Sequence, residues 1–205
     1  MLSSGTKIDP RVRRTRKLLL DAFLGLLREK PFEEITVQNI TDRATVNRAT
    51  FYAHFVDKYA LVDDLIREGF AAILQQRLQT PTTNAQEHLR RLFLAVTDHW
   101  IATHAQCQQG YRLFESLVEA QVKAQVRDSV CAWFVEYKPT RVAHQNRLEL
   151  AATIVSWAIY GAAKEWTKQR GVQTAEAFAD TALPLIAASI AALDDRLRYS
   201  QGQKD

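Results

Sequence analysis

Apolar positions recur every three or four residues along almost the whole chain. Before Pro31, this spacing holds one apolar face made of Val12, Leu19, Ala22, Phe23, Leu26 and Leu27. Such a pattern is typical of an amphipathic helix, and Asp9 followed by Pro10 is a suitable helix start. No segment alternates in the manner of a strand, so the sequence predicts an all-α protein.

The same spacing predicts the other helices. They are expected over residues 36–44, 47–54, 57–79, 84–104, 142–170 and 174–198, with a short and a longer helix within 108–137. Pro184 is expected to kink the last helix, because proline removes a helix hydrogen bond. About nine helices are expected in all.

Composition allows a sizeable core without a disulfide framework or a structural metal. The chain has 205 residues, 47% of them hydrophobic, and its two cysteines, Cys107 and Cys131, fit a reducing compartment. Its longest apolar stretches, 150–163 and 182–193, are shorter than the roughly 17–25 residues of a membrane-spanning helix. Asp21 interrupts the apolar run that follows the basic start, so no secretory signal is predicted. We expect a cytoplasmic protein with no membrane segment.

Charge is concentrated at one end of the chain. Residues 1–60 hold 11 Lys or Arg and 7 Asp or Glu, whereas residues 61–205 hold 16 of each. A basic module on a neutral body is typical of a protein that binds a polyanion. A solvated basic helix start is the alternative that charge alone leaves open.

Residues 35–55 hold two short predicted helices joined by three or four residues, which favours a helix-turn-helix. In that motif the second helix enters the major groove of DNA, N-terminal end first. Asn47 is a suitable N-cap, and Arg48, Ala49 and Thr50 fill the first turn, where small residues allow close approach. Thr36 can offer a hydroxyl and free backbone N–H groups to a phosphate.

The pattern Thr36-Val37-x-x-Ile40, then Val46-Asn47-x-x-Thr50-Phe51-Tyr52-x-His54-Phe55-x-x-Lys58, resembles the DNA-binding domain of the tetracycline-repressor (TetR) family of bacterial regulators. The resemblance covers roughly residues 11–60. It implies DNA contacts, mostly to phosphates, from Thr36, Arg48, Thr50, Tyr52, His54 and Lys58, and a packing role for Phe51 and Phe55. Thr45 departs from the family, which usually has glycine in the turn. A β-branched residue disfavours positive φ, so we expect an adjusted or strained turn.

The remaining chain lacks the common catalytic motifs, including a Gly-rich phosphate loop, His-Glu-x-x-His, Gly-x-Ser-x-Gly and Cys-x-x-Cys. We therefore expect no enzyme, no catalytic residue and no cofactor. His104 and Cys107 lie three residues apart, but two ligands are fewer than zinc requires, so no metal is predicted. Cys107 and Cys131 are either inert thiols or a redox pair.

The central helices are rich in aromatic residues, which form an ordinary core or enclose a ligand cavity. The candidate cavity residues are Phe93, Trp100, Phe114 and Trp157. The resemblance favours the cavity, because the C-terminal domain of this family typically binds a small effector. We expect an unidentified hydrophobic or amphipathic molecule.

Two apolar stripes near the C-terminus predict a homodimer. They comprise Leu148, Ala151, Val155, Ala158, Ala162 and Trp166 on one helix, and Ile186 and Ile190 on the next. Two such helices from each subunit would form an isologous four-helix interface. The alternative is that the stripes face the core of their own subunit.

Together these features predict a dimeric transcriptional regulator, expected to be a repressor released from an inverted-repeat operator by a small effector. Residues 1–56 would form the three-helix DNA-binding domain, and residues 57–205 a helical bundle for effector binding and dimerisation. One alternative is a regulator of the same fold controlled by a partner protein. Another, of a different class, is a helical enzyme or lipid-binding module.

Overall fold

The computed structural model describes residues 9–106, 111–137, 145–169 and 172–199. Within these ranges all the regular secondary structure is helical, as predicted. The helices are α1 (Pro10–Leu27), α2 (Val37–Ala44), α3 (Arg48–His54), α4 (Lys58–Leu78), α5 (Ala85–Gln106), α6 (Tyr111–Tyr137), α7 (Gln145–Lys168) and α8 (Ala175–Tyr199). A short 3-10 helix, Phe32–Glu34, lies between α1 and α2. No helix within the described ranges is long and apolar enough to cross a membrane.

Each of the first four helices begins just after a residue whose side chain caps it, and two of these residues, Asp9 and Asn47, are the ones that the sequence predicts. A side-chain oxygen accepts a first-turn backbone N–H at Asp9, Thr36, Asn47 and Asp57. Each such bond satisfies a donor that the helix itself leaves unpaired. The cap positions therefore fix where the short helices α2 and α3 start.

The prediction of two helices within residues 108–137 is wrong for the part that is described. A single helix, α6, runs from Tyr111 to Tyr137. Its buried valines recur at every fourth position, at 118, 122, 126 and 130, and no proline or glycine interrupts them. One continuous apolar stripe therefore supports one continuous helix.

One apolar core runs from the N-terminal helices into the body. Phe23 and Phe51 are fully buried among α1–α3, and the edge of the Phe32 ring meets Phe114 of α6 at a centroid distance of 4.7 Å. Helix α4 continues this core, and α5 lies at the centre of the body in contact with α4, α6, α7 and α8. The basic N-terminal module is therefore packed directly against the rest of the chain.

The stripes predicted as a dimer interface turn largely inward. Val155 is 1% exposed, Trp166 and Ile186 are buried, and Ala158 and Ala162 pack partly against the same core. Leu148 and Ala151 are half-buried, and the side chain of Ile190 lies outside those described. Most of these side chains therefore pack in the core of their own subunit, which covers one side of α7.

Helix α7 is apolar on its opposite side too. Its exposed stripe contains Leu150, Ile154, Trp157 and Gly161, and Leu185 of α8 is also exposed. Sequence pattern alone does not separate the two stripes, because both are apolar and both keep the three- and four-residue spacing of a helix face. The outward stripe is therefore exposed in the single subunit.

Candidate nucleic-acid interface and ligand pocket

The turn between α2 and α3 is held in a left-handed conformation. Thr45 has φ 55° and ψ 44°, the only positive φ of a non-glycine residue in the described part of the chain. The Val46 N–H donates to the Thr41 carbonyl at 3.0 Å and so closes the end of α2. A β-branched side chain is costly in this region, so the turn is strained, one of the two outcomes expected.

Helix α3 exposes its first turn on one side and buries two phenylalanine side chains on the other. Phe51 is fully buried and Phe55 nearly so, which fixes the helix against the module. Arg48, Ala49 and Tyr52 are exposed on the other side. The Arg48 guanidinium reaches the Tyr52 hydroxyl at 3.4 Å, so these two side chains form one exposed pair one helical turn apart.

The neighbouring predicted residues take more structural positions. The Asn47 carboxamide oxygen accepts the Thr50 backbone N–H at 2.9 Å, so it caps α3. Thr50 is half-buried, as is His54, which ends α3 beside Phe55. Of these three, Asn47 lies furthest into solvent and closest to the start of the helix.

Thr36 is exposed at the start of α2, where it forms a capping box with Asn39. Its oxygen accepts the Asn39 N–H at 3.1 Å, and Asn39 Oδ1 accepts the Thr36 N–H at 3.0 Å. Lys30 Nζ donates to that same amide oxygen at 2.6 Å. Sequence reasoning missed Lys30, which brings a positive charge to the helix end expected to hold a phosphate.

Lys58 does not lie free for DNA. Its ammonium group donates to the carbonyl oxygens of Phe32, Glu33 and Ile35 at 2.9, 3.3 and 2.8 Å. It also lies 4.2 Å from the centroid of the Phe32 ring. In the structure Lys58 therefore binds the segment between α1 and α2, and its contact with a phosphate stays a prediction.

A second cation also acts inside the protein. Arg16 of α1 forms an ion pair with Asp64 of α4, which also pairs with Arg67. The Arg16 guanidinium carbon lies 4.9 Å from the centroid of the Phe55 ring. These contacts join three elements: α1, α4 and the residue that follows α3. A movement of α4 would therefore be transmitted to the helix-turn-helix.

A pocket of about 220 Å³ lies where α1, α4, α5 and α6 meet. Its wall consists of Phe23, Leu24, Leu27, Val62, Leu65, Ile66, Gly69, Ile73, His99, Ala102, Thr103, Phe114 and Val118. The α1 residues and His99 were not foreseen, because sequence periodicity marks which residues are buried but not which of them border a void.

One of the four predicted effector residues, Phe114, lines this pocket. Phe93 instead stacks on Phe178 in the core, with centroids 6.0 Å apart, and Trp100 is buried within contact of Tyr160. Trp157 is 62% exposed, with the Lys123 ammonium 4.8 Å from its ring centroid. These three residues are not on the wall of the pocket, since two are packed in the core and one lies on the outer surface.

Two buried histidines are neutral at pH 7. Burial lowers the pKa of His99 to about 4, and burial is also the main reason that the pKa of His88 is about 4. Among the described residues, the Nε2 atom of each has no hydrogen-bond partner. His99 lies on the pocket wall, whereas His88 stacks on Trp133 elsewhere.

The described residues give little support for a redox pair of cysteines or for a metal site. Burial raises the pKa of the half-buried Cys131 thiol, which disfavours the reactive thiolate. Cys107 and the side chain of His104 lie outside the described residues. Within the described part, no group of three or more His, Cys, Asp or Glu side chains could hold a metal ion.

The helix-turn-helix lies within a region that matches a known family. Residues 19–65 match the sequence profile of the bacterial regulatory proteins of the tetR family. The chain is 42% identical over 69 residues to the Bacillus subtilis (strain 168) HTH-type transcriptional regulator YxbF, covering 33% of this chain and 18% of YxbF. It is 37% identical over 76 residues to YdeS of the same organism, covering 37% of this chain and 36% of YdeS. The matched region thus spans about a third or less of these relatives.

The fold likeness extends further than the sequence likeness. The TetR-family repressor AlkX from Dietzia sp. strain DQ12-45-1b superposes with a TM-score of 0.54 at 15% identity, over 92% of this chain and 98% of AlkX. The likeness in fold therefore extends beyond the N-terminal helices into the rest of the chain. Residues 19–65, which hold the helix-turn-helix, are therefore similar to the tetR family of bacterial regulatory proteins.

Proposed function

We propose that the protein is a dimeric DNA-binding transcriptional repressor, with residues 1–56 as the DNA-binding domain and residues 57–205 as the effector-binding and dimerisation domain. The observation that carries this proposal is the exposed first turn of α3, where Arg48 and Tyr52 stand above the buried Phe51 and Phe55. The two phenylalanines hold α3 against the module, and the exposed guanidinium of Arg48 can donate hydrogen bonds to base edges.

Phosphate contacts would come from the edge of the same module. Thr36 and Lys30 lie at the start of α2, where unpaired backbone N–H groups favour an anion. The whole formal excess of positive charge lies in residues 1–60. Because chromosomal DNA is the proposed partner, the cytoplasm is the proposed place of action.

The dimer would form through the outward stripe of α7 together with α8. Ile154 and Trp157 are exposed on α7, and Leu185 is 72% exposed on α8. Gly161, beside them, has open space around its Cα, so a second backbone can approach closely. These two helices from each subunit would form an isologous interface and place two α3 helices on one side of the dimer.

Release from DNA would follow from ligand binding in the pocket where α1, α4, α5 and α6 meet. The pocket is shared by the DNA-binding module and the helix that leads to the body, so an occupant would favour one of their relative positions. Two α3 helices displaced in this way would no longer fit successive major grooves. A regulator controlled by a partner protein would instead need no occupant in this pocket.

Selection of bound fragments from a random duplex library tests the proposal. We expect enrichment of an inverted repeat whose half-site centres lie about 34–36 Å apart, or a multiple of that distance. Binding should weaken steeply with salt, each neutralised phosphate contributing about −0.9 to the log–log slope. A helical enzyme or lipid-binding module with a basic end would bind DNA without enrichment of any sequence, and that outcome would overturn the proposal.

A further inference from the structure

The pocket where α1, α4, α5 and α6 meet has the size of a molecule with a single aromatic ring. Phe23 is fully buried at its floor, with Val62 and Val118 nearly so, whereas Gly69 and Ala102 are exposed at its mouth. Its volume of about 220 Å³ exceeds the roughly 150 Å³ of an apolar cavity that holds benzene. It is smaller than the roughly 300 Å³ at which pockets for drug-sized ligands begin. One aromatic ring with a small substituent fits these limits.

The wall of the pocket is apolar and uncharged. None of its residues is Asp, Glu, Lys or Arg, and its polar side chains are those of His99 and Thr103. The Thr103 hydroxyl donates to the His99 carbonyl at 2.7 Å, so its hydrogen is already used. A carboxylate or an ammonium group would lose its hydration here without gaining an opposite charge, so a charged ligand is disfavoured.

His99 supplies the remaining polar group of the wall. The residue is 4% exposed, and its Nε2 has no hydrogen-bond partner in the described part of the chain. A neutral imidazole carries one donor and one acceptor, so it can pair with a hydroxyl in either sense. Leaving such a group unpaired costs stability that a suitable ligand would recover.

We propose that this pocket binds an uncharged, single-ring aromatic molecule that bears a hydroxyl group, and that His99 anchors the hydroxyl. The ring would lie against Phe23 and Phe114, which belong to the DNA-binding module and to the body respectively. Its role as the effector that controls DNA binding rests on the proposed function, whereas its binding does not.

Phenol and toluene are the probes, because they have similar shapes and differ in the hydroxyl. Their affinities are measured by ligand-observed NMR or calorimetry on the full chain without DNA. Replacing His99 by leucine should lower the phenol-to-toluene affinity ratio about fivefold, the worth of one hydrogen bond. His99→Gln should restore part of the ratio, and thermal denaturation checks that both variants fold.

Two further variants locate the effect. His88→Leu removes the other buried neutral histidine, which is not on the pocket wall, so the ratio should stay at the wild-type value. Gly69→Leu places a side chain at the mouth, where an added Cβ meets nothing within 4 Å, and should weaken both probes together. A ratio that His99→Leu leaves unchanged, or the absence of binding by either probe at millimolar concentration, would overturn the proposal.

Failure of the proposed function is separately visible. If phenol binds through His99 while the random-library selection enriches no operator, the pocket is supported and the repressor function is lost. If an operator is enriched and phenol binds through His99 without releasing it, the site is supported and its role as effector site is rejected.

Discussion

The ammonium nitrogen of Lys58 lies 2.8 Å from the carbonyl oxygen of Ile35, across 23 residues of chain. Ile35 is the residue that ends the 3-10 helix, and the carbonyl at such a position has no donor within the helix. Lys58, at the start of α4, therefore ties the segment between α1 and α2 to the helix that leads into the body. A residue that resemblance assigns to DNA instead closes the module from within.

Lys58→Ala should lower the free energy of unfolding by about 2 kcal/mol, because hydrogen bonds from a charged donor to three carbonyls are lost. Urea denaturation measures this change. Lys17→Ala is the control, since Lys17 is an exposed lysine of α1, and it should change the stability by less than about 0.5 kcal/mol. If folded Lys58→Ala protein showed unchanged stability but a shallower salt dependence of DNA binding, the phosphate assignment would be right after all.

Thr45→Gly should stabilise the protein. Thr45 holds φ 55°, where an L-residue with a Cβ costs roughly 1–2 kcal/mol, and glycine removes that cost while adding some entropy to the unfolded chain. We expect a net gain of about 0.5–1 kcal/mol in thermal or urea denaturation. The same change in the regular helical position Thr15 should be destabilising. A loss of stability at position 45 would show that the threonine makes a contact worth more than the strain.

Sequence predicted well those features that depend on neighbouring residues. The N-caps, the starts of α2 and α3 and the buried role of Phe51 follow from spacing along a few turns. The role of Lys58 depends on carbonyls more than twenty residues away, which no local pattern contains. The choice between the two stripes of α7 likewise depends on which side the body covers, since both are apolar. The pocket depends on the fit of four helices, and periodicity does not reveal where packing leaves space.

Ile154→Arg should convert the dimer to a monomer at micromolar concentration. Ile154 is 42% exposed on the outward stripe of α7, so the arginine is accommodated in a free subunit but would be buried without a partner in an isologous interface. Light scattering coupled to gel filtration gives the mass. Val172→Arg introduces the same charge at an exposed valine outside the helices and should remain dimeric. A dimer that survives Ile154→Arg and Leu185→Arg would place the interface on another surface.

Acidification should destabilise the protein through His88 and His99. Their pKa of about 4 lies below the 6.5 of a free histidine, so the unfolded chain binds more protons between these values. The stabilising contribution is present above pH 6.5 and is lost as the pH falls toward 4. Between pH 7 and pH 5 the loss should be about 2 kcal/mol per histidine, measured by urea denaturation. His99→Leu should show a smaller loss than the wild type over this interval. Equal slopes for the two proteins would mean that His99 is solvated in the folded state.

Arg48→Ala should reduce discrimination between the operator and random DNA. Arg48 is exposed in the first turn of α3, and its guanidinium can bind two acceptors of a guanine in the major groove. We expect a loss of about 1–3 kcal/mol for the selected operator, a relaxed preference at one base pair of each half-site, and a much smaller loss for random DNA. Fluorescence anisotropy at several salt concentrations separates these effects, and Arg28→Ala, an exposed arginine just after α1, is the control. Since the Arg48 guanidinium reaches the Tyr52 hydroxyl at 3.4 Å, Tyr52→Phe should weaken the same preference to a lesser degree. An equal loss of affinity for operator and random DNA would assign Arg48 to phosphate contact, and base reading would then have to come from other exposed residues of α3.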